Sequence, residues 1–124
     1  MPFENNRLQG TIPSSIGKCK NLNLLNLSQN NLSGPIPKQL FAISSSNSLN
    51  LALNFFIRSL PSEVGNLVHL AELDIFENKL TGEIPSNLSS CTSLEYLYMK
   101  GNFFLGVILA SLSTSRGIQV MGLS

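Results

Sequence analysis

Residues 22–40 read LNLLNLSQNNLSGPIPKQL, and residues 70–88 repeat the pattern as LAELDIFENKLTGEIPSNL. Both stretches contain L-x-x-L-x-L, an asparagine, a further leucine, a glycine and an Ile-Pro pair in the same order. A shift of 24 residues places five asparagines in one column, namely Asn6, Asn30, Asn54, Asn78 and Asn102. A spacing kept along the whole chain predicts one structural unit used repeatedly.

The same shift aligns three further columns. They are an apolar column (Leu8, Leu32, Phe56, Leu80, Phe104), a glycine column (Gly10, Gly34, Arg58, Gly82, Gly106) and a proline column (Pro13, Pro37, Pro61, Pro85, Leu109). We therefore divide the single segment 1–124 into a partial repeat 1–21, full repeats 22–45, 46–69, 70–93 and 94–117, and a partial repeat 118–124. The leucine pattern restarts there at Ile118, Met121 and Leu123. Three departures, Ser46, Arg58 and Leu109, raise the question of whether the second and fourth full repeats pack tightly.

Simple physical chemistry assigns a role to each column. Alternation through L-x-L favours a short strand with leucines facing inward, and stacked repeats place such strands in a parallel sheet. An asparagine after the strand can both donate to and accept from backbone groups that the bend would bury. We therefore predict strands at about residues 25–28, 49–52, 73–76 and 97–100, followed by a buried asparagine ladder. Glycine and Ile-Pro predict an extended return path with little α-helix.

The period and the L-x-x-L-x-L-x-x-N-x-L pattern are typical of leucine-rich repeats. The unit resembles the plant-specific extracellular class, and residues 15–41 and 60–67 resemble late repeats of plant receptor-like kinases of the immune-receptor type. This resemblance implies an α/β right-handed solenoid with a parallel β-sheet on its concave face and mostly irregular or 3-10 segments on its convex side. It also implies a horseshoe-like ectodomain that binds a peptide or protein ligand, with a co-receptor as a further candidate partner, at the cell surface or in the apoplast.

Three other interpretations remain open at this stage. A soluble inhibitor of cell-wall-degrading enzymes would have similar repeats, and a truncated product would have no function of its own. A leucine-rich amphipathic α/β domain is hard to reconcile with several columns in register. The N-terminus MPFENNRLQG lacks a basic stretch followed by an apolar one, so we expect that secretion would need an upstream segment.

Composition argues against several classes of function. A net charge of +1 and 12% charged residues leave no field that would attract nucleic acid. The longest strongly apolar run, Phe103 to Ala110, is far shorter than the about 18–20 residues of a membrane span. The sequence contains neither a glycine-rich phosphate loop nor an HRD-like loop, so we expect no kinase activity and no enzyme.

Few residues could support catalysis or bind a metal. His69 is the only histidine and has no suitably spaced nucleophile, so we expect a surface residue, no metal site and no cofactor. Cys19 and Cys91 lie three repeats apart, which is about 14 Å and too far for a disulfide. We predict that they remain unbridged, buried thiols.

The concave face holds the best binding candidates, because residues that flank the inward leucines point away from the core. Acidic and aromatic residues gather there in two adjacent repeats, the composition of many recognition surfaces. The predicted ligand-binding set is Glu72, Asp74, Phe76, Glu77, Glu95, Tyr96, Tyr98 and Lys100. A solvated face that only maintains solubility is the alternative. Candidate glycosylation sites are Asn26, Asn31 and Asn87.

Overall fold

The computed structural model describes residues 8–18, 24–43, 47–85, 88, 90–105 and 119–121. Five short strands form a parallel sheet, which we call the concave sheet. They are β2 (Leu24–Asn26), β4 (Ser48–Asn50), β6 (Glu72–Asp74), β8 (Tyr96–Tyr98) and β10 (Gln119–Met121), in the spatial order β10-β8-β6-β4-β2. Strand order therefore follows chain order, as stacking of successive coils requires. The predicted leucine-rich-repeat solenoid with a parallel concave sheet is confirmed.

The concave strands begin one residue earlier and end two residues earlier than predicted. The hydrogen-bonded ladder nevertheless continues beyond them, because Leu27 N donates to Asn50 O at 2.8 Å and Gln29 N donates to Ala52 O at 3.0 Å. The difference has a local cause. Gln29 has a left-handed φ of 58°, and Leu53 and Glu77 have similar values of 59° and 56°, so the backbone already bends where extended geometry was predicted to end.

A second five-stranded parallel sheet, which the sequence analysis did not predict, follows the asparagine corner. It consists of β1 (Gln9–Gly10), β3 (Asn31–Pro35), β5 (Phe55–Arg58), β7 (Lys79–Glu83) and β9 (Phe103–Leu105), again in chain order. The return path was predicted to be extended but not paired. Stacked extended segments bring their backbone groups within reach of each other, so pairing satisfies donors and acceptors that the bend would otherwise leave exposed.

The convex side carries 3-10 helices, as predicted. They span Ser14–Lys18, Lys38–Ala42 and Ser62–Asn66, each directly after a residue of the proline column. Pro37 and Pro61 have extended ψ values of 139° and 143°, so each proline ends the return path before the helix begins. A short 3-10 turn closes the coil in fewer residues than an α-helix would need.

The hydrophobic core lies between the two sheets and the 3-10 helices. Its largest fully buried side chains include Phe41, Phe56, Leu49 and Leu73. The question raised by Arg58 is answered by the structure, since Arg58 adopts the left-handed φ of 67° that its glycine column requires. Phe56 on the same strand stays fully buried, so this departure does not loosen the core. Ser46 and Leu109 lie outside the described residues.

An asparagine ladder joins the coils at the corner between the sheets. Its described members, Asn30, Asn54, Asn78 and Asn102, are 4–5% exposed, whereas Asn6 lies outside the described residues. Asn54 shows the pattern. Its Nδ2 donates to Leu51 O at 3.2 Å in its own coil and to Leu27 O at 2.9 Å in the preceding coil, and its Oδ1 accepts from Leu32 N at 3.1 Å. Each such side chain therefore connects two coils.

The last concave strand departs from the 24-residue spacing. Residues pair at intervals of 24 from β2 to β8, for example Leu49 with Leu73. Leu97, however, pairs with Val120 rather than with Met121, so the predicted position of Met121 in the pattern is wrong by one residue. The paired residues of β8 and β10 are therefore 23 positions apart, one fewer than between the other concave strands. Ile118 and Leu123 lie outside the described residues.

Candidate functional site

Two columns of side chains cross the solvent-facing side of the concave sheet. The first column contains Leu24, Ser48, Glu72 and Tyr96, and the second contains Asn26, Asn50, Asp74 and Tyr98. Both columns change from neutral residues at β2 and β4 to carboxylates at β6 and tyrosines at β8. The carboxylates and aromatic rings of these two columns therefore lie on β6 and β8.

The register between β6 and β8 brings the predicted acidic and aromatic residues together. Glu72 lies directly opposite Tyr96, and Asp74 lies directly opposite Tyr98. The two tyrosine rings are parallel within 5°, with their centroids 6.4 Å apart. Tyr96 is exposed and Tyr98 is half-buried. We call these four residues the Tyr/acid patch.

Electrostatics make this patch receptive to positive charge. Partial burial raises the pKa of Asp74, and the nearby Glu72 carboxylate raises it further, although the backbone N–H of Phe76, 3.1 Å from Oδ1, acts in the opposite direction. Desolvation also raises the pKa of Tyr98, with further contributions from Glu72, Asp74 and Tyr96. An incoming cation would relieve the repulsion between the two carboxylates.

The other predicted site residues lie around this patch. Glu95 is exposed immediately before β8, and Lys100 is exposed in the turn after it. Phe76 is half-buried just beyond β6. Glu77 instead lines a groove at the corner between the two sheets, with its carboxylate against Gly101. The eight predicted residues therefore divide into the central Tyr/acid patch, three neighbours and one groove residue.

The corner groove was missed by the sequence analysis. It has a volume of about 490 Å³ and is lined by Gln29, Asn30, Asn31, Leu53, Asn54, Phe55, Glu77, Asn78 and Lys79. Phe55 is 47% exposed, and Lys79 Nζ lies 5.4 Å from its ring centroid, within cation–π range. Alternation of exposed Phe55 and Ile57 with buried Phe56 is the signal that could have revealed a second strand and its outer face.

The candidate glycosylation sites differ in their surroundings. Asn26 is half-buried on β2, and its Oδ1 accepts from Ser28 N at 3.0 Å and from Ser28 Oγ at 2.7 Å. Asn31 is exposed at the start of β3. Asn87 lies outside the described residues.

Residues considered for catalysis or metal binding are scattered. His69 is exposed in a turn, and Cys91 is buried with its thiol donating to Val64 O at 3.2 Å. The predicted lack of a Cys19–Cys91 bridge involves a cysteine outside the described residues, so it stays a prediction. Over the described ranges, no three metal-ligating side chains cluster, and no helix has the length and apolar character of a membrane span.

The family model for Leucine Rich Repeat matches residues 21–42, 69–91 and 93–115, more than half of the chain. The chain belongs to the leucine-rich-repeat family. No curated protein sequence matches this leucine-rich-repeat chain.

Solved structures of plant receptor ectodomains are similar to this leucine-rich-repeat chain. The plant peptide hormone receptor RGFR1 in complex with RGF2 is 36% identical over 99% of this chain and 20% of that one, with a TM-score of 0.93. The Arabidopsis receptor kinase HAESA with an IDA peptide hormone is 37% identical over 94% of this chain and 20% of that one, with a TM-score of 0.88. The Arabidopsis thaliana BIR3–SERK2 complex gives 35% identity over 91% of this chain and 61% of the matched chain, with a TM-score of 0.87. The leucine-rich-repeat chain thus spans about one fifth of the two hormone receptors.

Proposed function

We propose that this leucine-rich-repeat segment binds a peptide or protein ligand on its concave face, as part of an extracellular plant receptor-like kinase or receptor-like protein. Signalling in defence or development is the proposed setting, with a co-receptor as a further proposed partner. The segment itself acts as a binding module and not as an enzyme.

One observation carries this proposal: the Tyr/acid patch combines two carboxylates and two aromatic rings in direct register on a solvent-facing sheet. Tyrosines supply a large contact area at a low entropic cost, and carboxylates supply charge selectivity. Two similar structures, the plant peptide hormone receptor RGFR1 in complex with RGF2 and HAESA in complex with an IDA peptide hormone, support a peptide as ligand. A cationic or mixed polar peptide is the best electrostatic match.

A displayed library of random peptides, selected against the full chain, tests this proposal. We expect enrichment of basic peptides. The double variant Tyr96→Ala and Tyr98→Ala should weaken the selected peptides at low and at high salt. The double variant Glu72→Ala and Asp74→Ala should weaken them mainly at low salt, because the Debye length falls from about 10 Å at 0.1 M to about 3 Å at 1 M.

The matched controls are Ser48→Ala, which lies in the same column one coil earlier, and Glu63→Ala, which removes an acid from the convex side. Neither should change affinity. Unchanged binding in both Tyr/acid double variants, together with a loss in Glu63→Ala, would show that the concave face is not the ligand surface.

A further inference from the structure

The rings of Tyr96 and Tyr98 are parallel neighbours, and we call the position between them the slot. Tyr96 and Tyr98 alternate along one strand, so both side chains rise from the same face, and their rings are parallel within 5° at 6.4 Å. A flat group placed between two rings needs ring planes about 7 Å apart, since optimal carbon contacts are about 3.5 Å on each side. The separation of the ring planes cannot exceed the centroid distance of 6.4 Å, so the rings must move apart by at least about 0.6 Å to admit a planar group. A tetrahedral, hydrated group would need a larger displacement.

Negative charge lies beside this slot. Glu72 and Asp74 occupy the neighbouring strand, one opposite each ring, at the strand spacing of about 4.8 Å. The carboxylate of Asp74 is oriented by the hydrogen bond that its Oδ1 accepts from Phe76 N at 3.1 Å. Its Oδ2 retains acceptor capacity.

We infer that the Tyr/acid patch is a slot for the guanidinium of an arginine side chain in the ligand. Guanidinium is planar, always charged and weakly hydrated, so it can stack on aromatic faces while its N–H groups donate to two carboxylates. The ammonium of lysine is compact and strongly hydrated, and it cannot stack in this way. This inference rests on the proposed function, because it names the ligand group that the concave face selects.

The amino-acid composition of the chain allows ligand binding at the slot to be measured directly. Tyr96 and Tyr98 are its only tyrosines, and it has no tryptophan. Tyrosine fluorescence of the full chain, and fluorine NMR after 3-fluorotyrosine labelling, therefore report on the slot alone. The probes are the N-acetyl amides of arginine, lysine and citrulline, which separate planarity from charge.

We expect arginine to shift both tyrosine signals with a Kd on the order of 1–10 mM, as befits a single side chain. Lysine and citrulline should bind at least about tenfold more weakly, because each lacks one of the two required properties. The double variant Glu72→Gln and Asp74→Asn should weaken arginine binding about tenfold while leaving the citrulline response unchanged. Asparagine already occupies the column of Asp74 at positions 26 and 50, so this variant should retain the fold.

The outcomes separate the two proposals. Equal affinities for arginine and lysine, or no saturable arginine response, would overturn the inference that the slot binds guanidinium. The proposed function survives that result if peptides selected against the full chain still need Tyr96 and Tyr98. If selected peptides need no concave residue, the proposed function fails as well.

Discussion

Asp74 stands in a column whose members in the two preceding coils are amides. Asn26 Oδ1 accepts from Ser28 N at 3.0 Å, and Asn50 Oδ1 accepts from Ala52 N at 3.0 Å. Asp74 makes the equivalent bond at 3.1 Å. The local structure therefore needs only an oxygen acceptor, and the negative charge of Asp74 is an addition that the fold does not require.

We predict that Asp74→Asn stabilises the chain at pH 7 by less than about 1 kcal/mol, because the carboxylate is half-exposed and water screens part of the penalty. The folded pKa of Asp74 is raised above 3.8, so the native state binds its proton more tightly than the unfolded state does. The penalty is therefore present above the raised pKa and disappears as the pH falls below 3.8. Urea unfolding at pH 7 and pH 3 measures both limits.

The reverse change, Asn50→Asp, is the matched control, because it places an acid at the equivalent position of the preceding coil. It should destabilise the chain at pH 7. A stabilising effect of Asp74→Asn that is as large at pH 3 as at pH 7 would contradict this electrostatic explanation.

A substitution in the asparagine ladder should change the free energy of unfolding by more than the substitutions at Asp74 and Asn50 do. Asn54 donates to the carbonyl oxygens of Leu27, Leu51 and Ala52 and accepts from Leu32 N. Asn54→Leu leaves the buried Leu32 N without its acceptor, at about 1–3 kcal/mol for an unsatisfied group, so we predict a loss of about that size in the free energy of unfolding. The three carbonyl oxygens keep other donors, namely Asn30 Nδ2, Asn78 Nδ2 and Gln29 N. Urea unfolding monitored by circular dichroism measures this loss.

Asn31→Ala serves as the control for the ladder, since Asn31 is exposed. Its effect should stay within about 0.5 kcal/mol. A comparable loss in both variants would mean that the ladder contributes no more than an ordinary surface asparagine.

At the scale of elements, the concave strands could be predicted because leucine alternation fixes their faces and the 24-residue spacing fixes their register. The juxtaposition of Glu72 with Tyr96 follows from that register alone. The parallel arrangement of the tyrosine rings could not be predicted, because χ angles depend on packing. The second sheet was missed because its outer face mixes Phe55, Lys79 and Thr81, which gives no consistent polar alternation.

The turn after β8 allows a test at this scale. Gly101 has a φ of +85°, and a Cβ there would lie 2.7 Å from Glu77 Cδ and 3.0 Å from Glu77 Cα. Gly10 has a similar φ of +87°, but a Cβ there would meet nothing within 4 Å. Gly10→Ala should therefore lower the free energy of unfolding by only about 1–2 kcal/mol, the cost of a left-handed φ for a residue with a Cβ. Gly101→Ala should lower it by about 1–3 kcal/mol more, because the added methyl group clashes with Glu77.

The midpoints of urea unfolding for the two alanine variants measure this difference. Equal midpoints would show that the turn relaxes around the added methyl group. Glu77→Gly, introduced beside Gly101→Ala, should restore part of the loss, since it removes the clashing carboxylate and suits the φ of 56° at that position.

At the scale of the whole molecule, each coil contacts only its neighbours, so stability is distributed along the stack. The strands β1, β2, β9 and β10 each pair on one side only in the described sheets, whereas β4, β5 and β6 pair on both sides. We predict that hydrogen exchange is slowest at the central amides, such as Leu51 N, which donates to Asp74 O at 2.8 Å. Exchange measured residue by residue by NMR should become faster toward both edges, and uniform protection would indicate one cooperative unit.

The two sheets pair residues at different sequence separations, and this difference affects how a molecule of stacked repeats can lengthen. From β2 to β8 the concave sheet pairs residues 24 apart, whereas the second sheet pairs residues 22 apart, as in Gly34 with Phe56. Residues at equivalent repeat positions are thus neighbours on one surface and displaced by two places on the other. Duplication of any 24-residue window preserves both spacings at once, so unequal recombination can add a coil while the coils on either side keep their existing pairings.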